Sequence, residues 1–438
     1  MSCSSSATTS SWALAPTSKT DRSLNLRLER LPAGISRLCL AFSAGIDSRV
    51  LLRAALDQAA GFKLELWHVN YGLQPNALHM EQLAIRLAEQ HGLTLKVDRP
   101  DLGAGSANLE SRARQARYEL FAARLDSASV LLTAHHMNDQ AETLLINLLR
   151  GSGALGLSAM QALSRLGDGW LYRPLLGTSR REIEQLANAQ GLDWIDDPSN
   201  ASVAFDRNFL RHEIIPRLEQ RWPAAVSNLA RSSQWQSEQQ ELLDELARRD
   251  LQSAWRDSKW SVNGCLGLDA LNSWSWGRRK NLVRFWLRSQ GRQAPGFRQL
   301  EELLRQVKHS NGRAELRLDG YCLREYAGSL FIVDQATSPA ELPGRAAERD
   351  GMFRVGDLDL CLSRASVLHA VGQPDQGQAL CLRFRSAPGS LPTAVGHRLK
   401  RLFQKQQVPP WMRPRTPLVF ANDQLVGLLT PRDYSSGV

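Results

Sequence analysis

The stretch "LCLAFSAGIDSRVLLRAAL", residues 38–56, decides the fold. Its apolar start is typical of a buried strand, and an apolar face at helical spacing follows over residues 50–56. The small, polar turn Ser43-Ala44-Gly45-Ile46-Asp47-Ser48 separates the two. A strand, a tight turn and a helix start is the arrangement with which α/β proteins hold phosphate groups. We therefore predict an anion-binding turn at residues 43–48.

The same alternation of strand and helix patterns continues to about residue 150. Strands are predicted at "RLCLAF", "LELWHVN", "LKVD" and "SVLLTAHH", and helices near 47–59, 77–91, 107–124 and 139–150. This order predicts an α/β fold, a parallel sheet covered on both faces. Ligands bind such sheets at the carboxyl ends of the strands. We therefore expect the loops at 43–48, 70–72 and 135–139 to converge on one site.

The composition is that of a soluble, basic protein. Lys and Arg number 54 against 44 Asp and Glu, a net charge of +10, which suggests a polyanionic partner such as nucleic acid but also fits a merely basic enzyme. No apolar run is long enough for a membrane span. The six cysteines are scattered without a C-x-x-C pair, which argues against zinc or iron–sulfur sites and fits a reducing compartment such as the cytoplasm.

Shifts in composition divide the chain. We predict a disordered tail over 1–29, an α/β domain over 30–222, a helical domain over 223–335, a linker over 336–351 and a small α+β domain over 352–432. A short strand pair is expected at "AELRLDGYCLREYAGSLFIVD", and a hairpin with its turn at Asn422-Asp423 near the end.

The turn at 43–48 lacks the Gly-Lys-Ser/Thr of a Walker loop and the G-x-G-x-x-G of a dinucleotide fingerprint. It resembles the S-G-G-x-D-S loop of the N-type ATP pyrophosphatases, which cut ATP between the α and β phosphates. The resemblance implies that Ser43, Ala44, Gly45, Ile46, Asp47 and Ser48 bind ATP or pyrophosphate, with Asp47 also holding Mg²⁺. Ala44 replaces the family's first glycine. With negative φ its methyl is harmless, whereas with positive φ it costs about 1 kcal/mol and would displace the phosphates.

A second group of residues lies in "TAHHMNDQAETLLINLLRGSG". Asp139 and Glu142 are three residues apart, so on a helix they share a face, which His135 joins from the strand end. Such a group binds metal, grips an ammonium or moves protons. The alternative is a helix-capping pair, with Gly151 closing the far end.

Several longer motifs extend the resemblance to nearly the whole chain from residue 30. "HVNYGL", "NLESRARQARYELF", "TAHHMNDQAETLLINLLRGSGALGLSAM", "RPLL", "DDPSN" and "RNFLRHEIIPRLE" occur in the order seen in tRNA(Ile)-lysidine synthetases. The middle "LRSQGRQAPGFRQLEELL" and the tail "LKRLFQKQQVPPWMRPRTPLV" are similar to their later domains.

This resemblance implies ligation of free lysine to the wobble cytidine of a tRNA(Ile) with a CAU anticodon. ATP first adenylates the base, releasing pyrophosphate, and the lysine amine then displaces AMP. The catalytic residues would be Asp47, His135, Asp139 and Glu142. Basic residues near the nucleotide or the tRNA would be Arg114, Arg117, Arg150, Lys400 and Arg401. A homodimer is a further expectation.

The basic tail interleaves charged and aromatic residues, a pattern that suits an RNA surface. Lys400, Arg401 and Lys405 lie near Phe403 and Trp411 in the sequence. The alternative is that the two aromatic rings fill the core of the small domain while the charges face water.

Two rival functions remain open from the sequence. One is another tRNA-modifying enzyme with a pyrophosphate loop that performs thiolation, although such enzymes often carry the C-x-x-C pairs absent here. The other is a catalytically weakened tRNA-binding protein, an alternative that the alanine at position 44 suggests.

Overall fold

The computed structural model describes residues 24–72, 76–101, 109–197, 202–261, 264–309, 314–334, 345–349, 352–355, 358–372, 377–385 and 395–435. The chain forms two compact units, which divide between Glu241 and Leu242. No helix in the described part of the chain has both the length and the apolar character needed to cross a membrane.

The first unit is built on a six-stranded sheet of order β3-β2-β1-β4-β6-β5. Its strands are β1 (Arg37–Ala41), β2 (Lys63–Val69), β3 (Thr94–Asp98), β4 (Ser129–Leu132), β5 (Leu163–Leu166) and β6 (Gly169–Tyr172). All neighbouring pairs are parallel except β5 with β6. From β1 the chain first adds strands on one side of the sheet (β2, β3) and then on the other (β4, β6). The connections that leave β1 and enter β4 therefore diverge, and a crevice for ligands opens at the carboxyl end of β1.

The helices of this part of the chain are α1 (Ile46–Gln58), α2 (Ala77–Gln90), α3 (Leu109–Arg124), α4 (Met137–Leu149), α5 (Ala154–Leu157), α6 (Arg180–Ala189), α7 (Asp206–Phe209) and α8 (Ile215–Arg221). Alternate strand residues enter two separate cores. Leu38 and Leu40 pack with α1 and α2 on one face. Cys39 and Leu131 pack with Phe121 of α3 on the other. The predicted α/β fold with a parallel sheet covered on both faces is confirmed.

Three details of the first unit differ from the sequence predictions. β4 ends at Leu132, so the predicted strand through His136 is four residues too long. The β5–β6 hairpin was not predicted. The predicted tail over 1–29 is wrong for its last six residues, because the fully buried Leu26 packs in the core and its carbonyl accepts the Tyr172 hydroxyl at 2.9 Å. The rest of that prediction, residues 1–23, lies outside the described residues.

The second unit contains two sheets. Strands β7 (Trp255–Arg256), β8 (Cys265–Gly267), β9 (Glu315–Leu318), β10 (Tyr321–Tyr326) and β11 (Ser329–Asp334) form one, so the predicted strand pair is in fact three strands. The other contains β12 (Arg345–Arg349), β13 (Met352–Val355), β14 (Leu358–Ser363), β15 (Leu380–Arg383), β16 (Leu418–Ala421) and β17 (Gln424–Leu428). The predicted linker over 336–351 thus includes a strand, β12, which pairs with β13 and β15.

The helices of this region are α9 (Ala225–Ala254), α10 (Leu268–Ser273), α11 (Trp276–Ser289), α12 (Phe297–His309), α13 (Arg364–Val371), α14 (Gly396–Lys405) and α15 (Pro431–Ser435). α9 contains the division between the units. The predicted hairpin turn is confirmed: Asn422 and Asp423 have φ of 46° and 63° between β16 and β17, as a two-residue turn requires.

Candidate active site

The turn after β1 forms the floor of the candidate site. Gly45 is extended, with φ −76° and ψ 164°, and α1 begins at the next residue. Ser48 Oγ donates to the Gly45 carbonyl at 2.9 Å and accepts from the Ser43 amide at 3.3 Å. A Cβ on Gly45 would meet only Ser43 Oγ, at 3.6 Å. The glycine therefore leaves open space above the turn, beside the positively polarised start of α1.

Ala44 adopts the left-handed conformation, with φ 65°. The alanine is strained there, since its Cβ crowds the backbone at positive φ. Its side chain is fully buried in the core and does not line the cavity described below, while its carbonyl accepts the Ile195 amide at 3.1 Å. Ala44 thus has the positive φ that we expect to cost about 1 kcal/mol, but its methyl packs in the core and not in the cavity.

A cavity of about 970 Å³ opens at the carboxyl ends of β1, β2 and β4. The three predicted loops converge on it. Of the residues predicted to function, it is lined by Ser43, Gly45, Ile46, Asp47, Ser48, Arg114, Arg117, His135, Asp139 and Glu142. The turn and the acidic face of α4 therefore border the same space.

The acidic face of α4 is already paired with arginines. Glu142 has no exposed surface, and its two carboxylate oxygens accept from Arg211 at 2.7 and 3.0 Å, with Arg207 Nε at 3.3 Å. Arg211 also donates to Asp139 at 3.1 Å. The alternative in which Asp139 and Glu142 form the capping pair is wrong: the cap residue is His136, whose amide donates to Asp139 Oδ2 at 2.9 Å, while Glu142 takes no part. Asp139 thus takes part in capping α4 and also lines the cavity wall.

These surroundings shift the two carboxyl groups in opposite directions. Burial raises the pKa of Glu142 despite the Arg211 ion pair. Burial alone would also raise the pKa of Asp139, but His136, His135 and the His136 amide together lower it. Asp139 is therefore the more firmly ionised member of the pair.

His136 is a site residue that the sequence analysis missed. It is almost fully buried, and its Nε2 lies 3.8 Å from Asp47 Oδ1 and 3.6 Å from Asp139 Oδ2. Its Nδ1 has no hydrogen-bond partner among the described residues. The imidazole therefore lies between the turn at 43–48 and the acidic face of α4.

His135 lies nearer the basic side of the cavity. Its Nδ1 is 2.9 Å from Thr133 Oγ1. Burial lowers the pKa of His135 to about 3, and Arg173, Arg114 and Arg117 act in the same direction. His135 is therefore neutral at physiological pH.

Arg180 is the cation next to Asp47. Its Nη1 donates to both Asp47 oxygens, at 2.8 and 3.0 Å, and its Nε donates to Glu184 at 2.8 Å. Burial raises the pKa of Asp47, and His136 and Arg180 oppose the rise. The Arg180 amide donates to Asn138 Oδ1 at 3.0 Å, so the first turns of α4 and α6 meet at the cavity.

A π-helical turn at Leu210–Ile214 joins α7 to α8 and shapes the opposite wall. Arg211 and His212 of this turn line the cavity, together with Arg207 of α7 and Ile215 of α8. Pro216, in the first turn of α8, cannot donate the hydrogen bond that an α-helix requires, which accounts for the wider turn. The segment lies in "RNFLRHEIIP", where the four-residue spacing of the two arginines was the available sequence signal.

The remaining predicted residues lie elsewhere. Arg150 is exposed and 3.5 Å from Asp206, and it is not among the described residues that line the cavity. Lys400 and Arg401 are exposed on α14. Phe403 on the same helix is buried in a core, and Trp411 packs edge-on against Tyr326 and Phe331. The alternative in which the aromatic rings of the tail fill the core of the small domain is therefore correct for Phe403. It is wrong for Trp411, which is half-buried and packs against two rings of the preceding sheet.

The side chains at the site fit Mg²⁺ only if the substrate supplies part of its coordination shell. Mg²⁺ usually takes one or two protein carboxylates and completes its shell with substrate phosphates and water. The Asp47 carboxylate at the turn meets that requirement. No group of three or more His, Cys, Asp or Glu side chains that could hold a metal occurs among the described residues.

The parallel sheet and its turn after β1 define a PP-loop protein, a class that uses ATP. Family models agree: a PP-loop domain matches residues 16–218, a TilS substrate binding domain matches 266–331 and a TilS substrate C-terminal domain matches 380–429. The chain belongs to the tRNA(Ile)-lysidine synthase family.

Its similarity to relatives extends over most of its length. It is 36% identical over 410 residues to tRNA(Ile)-lysidine synthase of Pectobacterium atrosepticum, covering 90% of each chain. With that of Vibrio vulnificus strain YJ016 it is 36% identical, covering 93% of this chain and 95% of the relative. With that of Escherichia coli O157:H7 it is 35% identical, covering 94% and 97%. These names do not favour the thiolation alternative, and burial raises the pKa of the Cys39 thiol to about 12, which leaves it unreactive.

Proposed function

We propose that the chain ligates lysine to C2 of the wobble cytidine of a tRNA(Ile) with a CAU anticodon, releasing AMP and pyrophosphate. One observation carries the proposal: the turn at 43–48 and the carboxylates of Asp139 and Glu142 line the same cavity. A two-step reaction that activates a base with ATP and then presents an amine to it needs both groups within reach of one base.

The turn supports the first step, in which the cytidine 2-oxygen attacks the α phosphate and pyrophosphate leaves. Phosphoryl transfer depends mainly on positioning and on neutralising charge. The Ser43 and Ser48 hydroxyls and the start of α1 offer hydrogen bonds and a positive potential to the leaving phosphates. Arg114 and Arg117 add positive charge from α3. When bound, Mg²⁺ on Asp47 would supply further charge neutralisation.

The acidic face of α4 supports the second step. Asp139 and Glu142 would hold the lysine ammonium, and their negative charge would attract this substrate over neutral amines. Arg211 already occupies both carboxylates. Lysine must therefore share the pair with this guanidinium or displace it. The neutral His135 borders the same cavity and is available to take a hydrogen bond from the amine.

The tRNA would extend beyond this cavity to the later parts of the chain. Lys400 and Arg401 are solvent-exposed basic groups on α14, which suits contacts to phosphates rather than to bases. Arg150, also exposed, would contact the tRNA outside the nucleotide pocket. These three residues are proposed to position the tRNA, while the first unit carries the chemistry.

We keep the predicted division into a catalytic domain to residue 222, a helical tRNA-contacting domain to 335 and a C-terminal tRNA-recognition domain to 432. Cytoplasmic location is proposed because Cys39, Cys265, Cys322 and Cys381 are free and buried, as suits a reducing compartment. A homodimer is also proposed, and light scattering of the purified chain tests it.

One assay tests the function. The full chain is incubated with ATP, Mg²⁺, labelled lysine and total tRNA, and the labelled nucleotide is identified after digestion. We expect label in a cytidine of one isoleucine tRNA, with one pyrophosphate released per lysine joined. Asp47→Asn is the inactive control. Label in no nucleotide, with tRNA binding retained, would instead indicate a binding protein.

A further inference from the structure

Arg180 has no role in the reaction as described so far, yet it lines the cavity beside Asp47. Its guanidinium bridges two carboxylates, those of Asp47 and Glu184, and all three residues line the cavity. It is 37% exposed, so it is accessible from the cavity and is not locked in a core. An arginine in this position neutralises the charge of Asp47.

We propose that Arg180 is a catalytic residue of the adenylation step. Its guanidinium exchanges its hydrogen bonds to Asp47 for hydrogen bonds to the leaving pyrophosphate. This inference rests on the proposed function. As the cytidine oxygen forms its bond to the α phosphorus, the bond to the bridging oxygen breaks and pyrophosphate leaves with that electron pair. The Arg180 fork neutralises the charge that accumulates on pyrophosphate, and no proton transfer is needed.

The backbone around Arg180 supports this assignment. Ser179 caps α6 and accepts the Glu182 amide, and the amide of Arg180 is fixed by Asn138 of α4. The first turns of α1, α4 and α6 therefore all face the cavity, and their partial positive charges favour an anion there. Among the described residues, the guanidinium donates its hydrogen bonds to the carboxylates of Asp47 and Glu184, whereas the backbone of Arg180 is held by Asn138.

The charge balance gives the direction of the transfer. Asp47 and Glu184 are the anions that Arg180 contacts among the described residues. A bound triphosphate brings several further negative charges to the turn beside Asp47. A planar guanidinium binds phosphate through two parallel hydrogen bonds, which favours the move from a carboxylate to the phosphates.

The test compares Arg180→Gln with Arg181→Gln, a matched change at the next residue of α6, which is exposed and not among the described cavity-lining residues. Binding of inorganic pyrophosphate to the full chain is measured by calorimetry. Pyrophosphate release is measured with ATP, tRNA and lysine. For Arg180→Gln we expect about tenfold weaker pyrophosphate binding and about 100-fold slower release, with the KM for lysine within twofold of the wild-type value. Arg181→Gln should match wild type in every measurement.

A purely structural role gives a different result. Arg180→Gln would then lower the thermal midpoint while pyrophosphate binds as tightly as to wild type, and this outcome overturns the proposal. If Arg180→Gln does not fold, Arg180→Lys decides: it keeps Asp47 paired but loses the fork, so it should bind pyrophosphate more weakly than Arg181→Lys does. A wild-type chain that releases no pyrophosphate with tRNA would contradict the proposed function, whereas the pyrophosphate titrations would still decide the role of Arg180.

Discussion

Arg211 and Glu142 form a two-pronged ion pair, with Nε and Nη2 of the guanidinium donating to the two carboxylate oxygens at 2.7 and 3.0 Å. Glu142 is fully buried, whereas Arg211 is about one-third exposed. A buried carboxylate depends on such a partner, because water does not reach it.

Removing this partner should destabilise the first unit. We expect Arg211→Gln to lower the free energy of unfolding of the first unit by about 2–3 kcal/mol at pH 8, since Glu142 loses its main counter-ion and keeps the more distant Arg207, at 3.3 Å. The pKa of Glu142 is already raised by burial and would rise further. An acid with a raised folded-state pKa favours folding when protonated and loses that advantage as the pH rises.

The loss in free energy of unfolding caused by Arg211→Gln should therefore be smaller at pH 5 than at pH 8. Urea unfolding at the two pH values measures it. The double variant Glu142→Gln, Arg211→Gln removes the unpaired charge and should recover most of the loss at pH 8. A deficit that is equal at both pH values would mean that lost packing, not charge, causes it.

His135 should make the stability of the first unit sensitive to mild acid. Its pKa of about 3 lies below the ordinary value of 6.5, so the folded state binds fewer protons than the unfolded state between these values. Stability is therefore lost as the pH falls from 6.5 toward 3, by about 1–2 kcal/mol at pH 5.

Replacing the imidazole checks this dependence. His135→Asn should be less sensitive to acid than wild type when urea midpoints are compared at pH 7.5 and pH 5. Equal acid sensitivity in the two proteins would show that other groups dominate this pH range.

Ala44→Gly should change little. Glycine relieves about 1 kcal/mol of strain at φ 65° but loses about 0.8 kcal/mol from the buried methyl, so the thermal midpoint should stay nearly constant. The KM for ATP should stay within twofold of the wild-type value because the methyl points away from the cavity. A tenfold fall in this KM would mean that alanine distorts the turn after all.

The exposed basic side chains of α14 should bind tRNA by neutralising its phosphates. The double variant Lys400→Ala, Arg401→Ala should weaken tRNA binding and reduce the slope of log affinity against log salt by about 1.5. Its thermal midpoint should match wild type, because both side chains are exposed. Phe403→Ala is the contrasting change, expected to cost about 3–5 kcal/mol of stability with an unchanged salt slope. An unchanged salt slope in the double variant would exclude these two residues from the tRNA surface.

Periodicity predicted the sheet and its helices well, since each pattern reports on neighbouring residues. α2 was predicted at 77–91 and spans Ala77–Gln90. The end of β4 was misplaced because the apolar run before His135 gives no sign of where its pairing with β1 stops. The conformation of Ala44 could not be derived either, since a six-residue turn of mostly small or polar residues admits both signs of φ.

The partners of the acidic residues were beyond reach from sequence for another reason. Arg180 is 133 residues from Asp47, and Arg211 is 69 residues from Glu142. No local pattern links residues so far apart. The resemblance motifs contained Arg211, but only the folded chain shows that it neutralises the pair proposed to bind lysine.

The π-helical turn at Leu210–Ile214 allows the cavity wall that it forms to be changed by altering the number of residues alone. It holds one residue more than an α-helical turn, so losing a single codon here would close it into a regular helix. α7 would then rotate by about 100° against α8, carrying Arg207 away from Glu142. A lineage could thus retune the pocket proposed to bind lysine through one in-frame deletion, without exchanging any side chain.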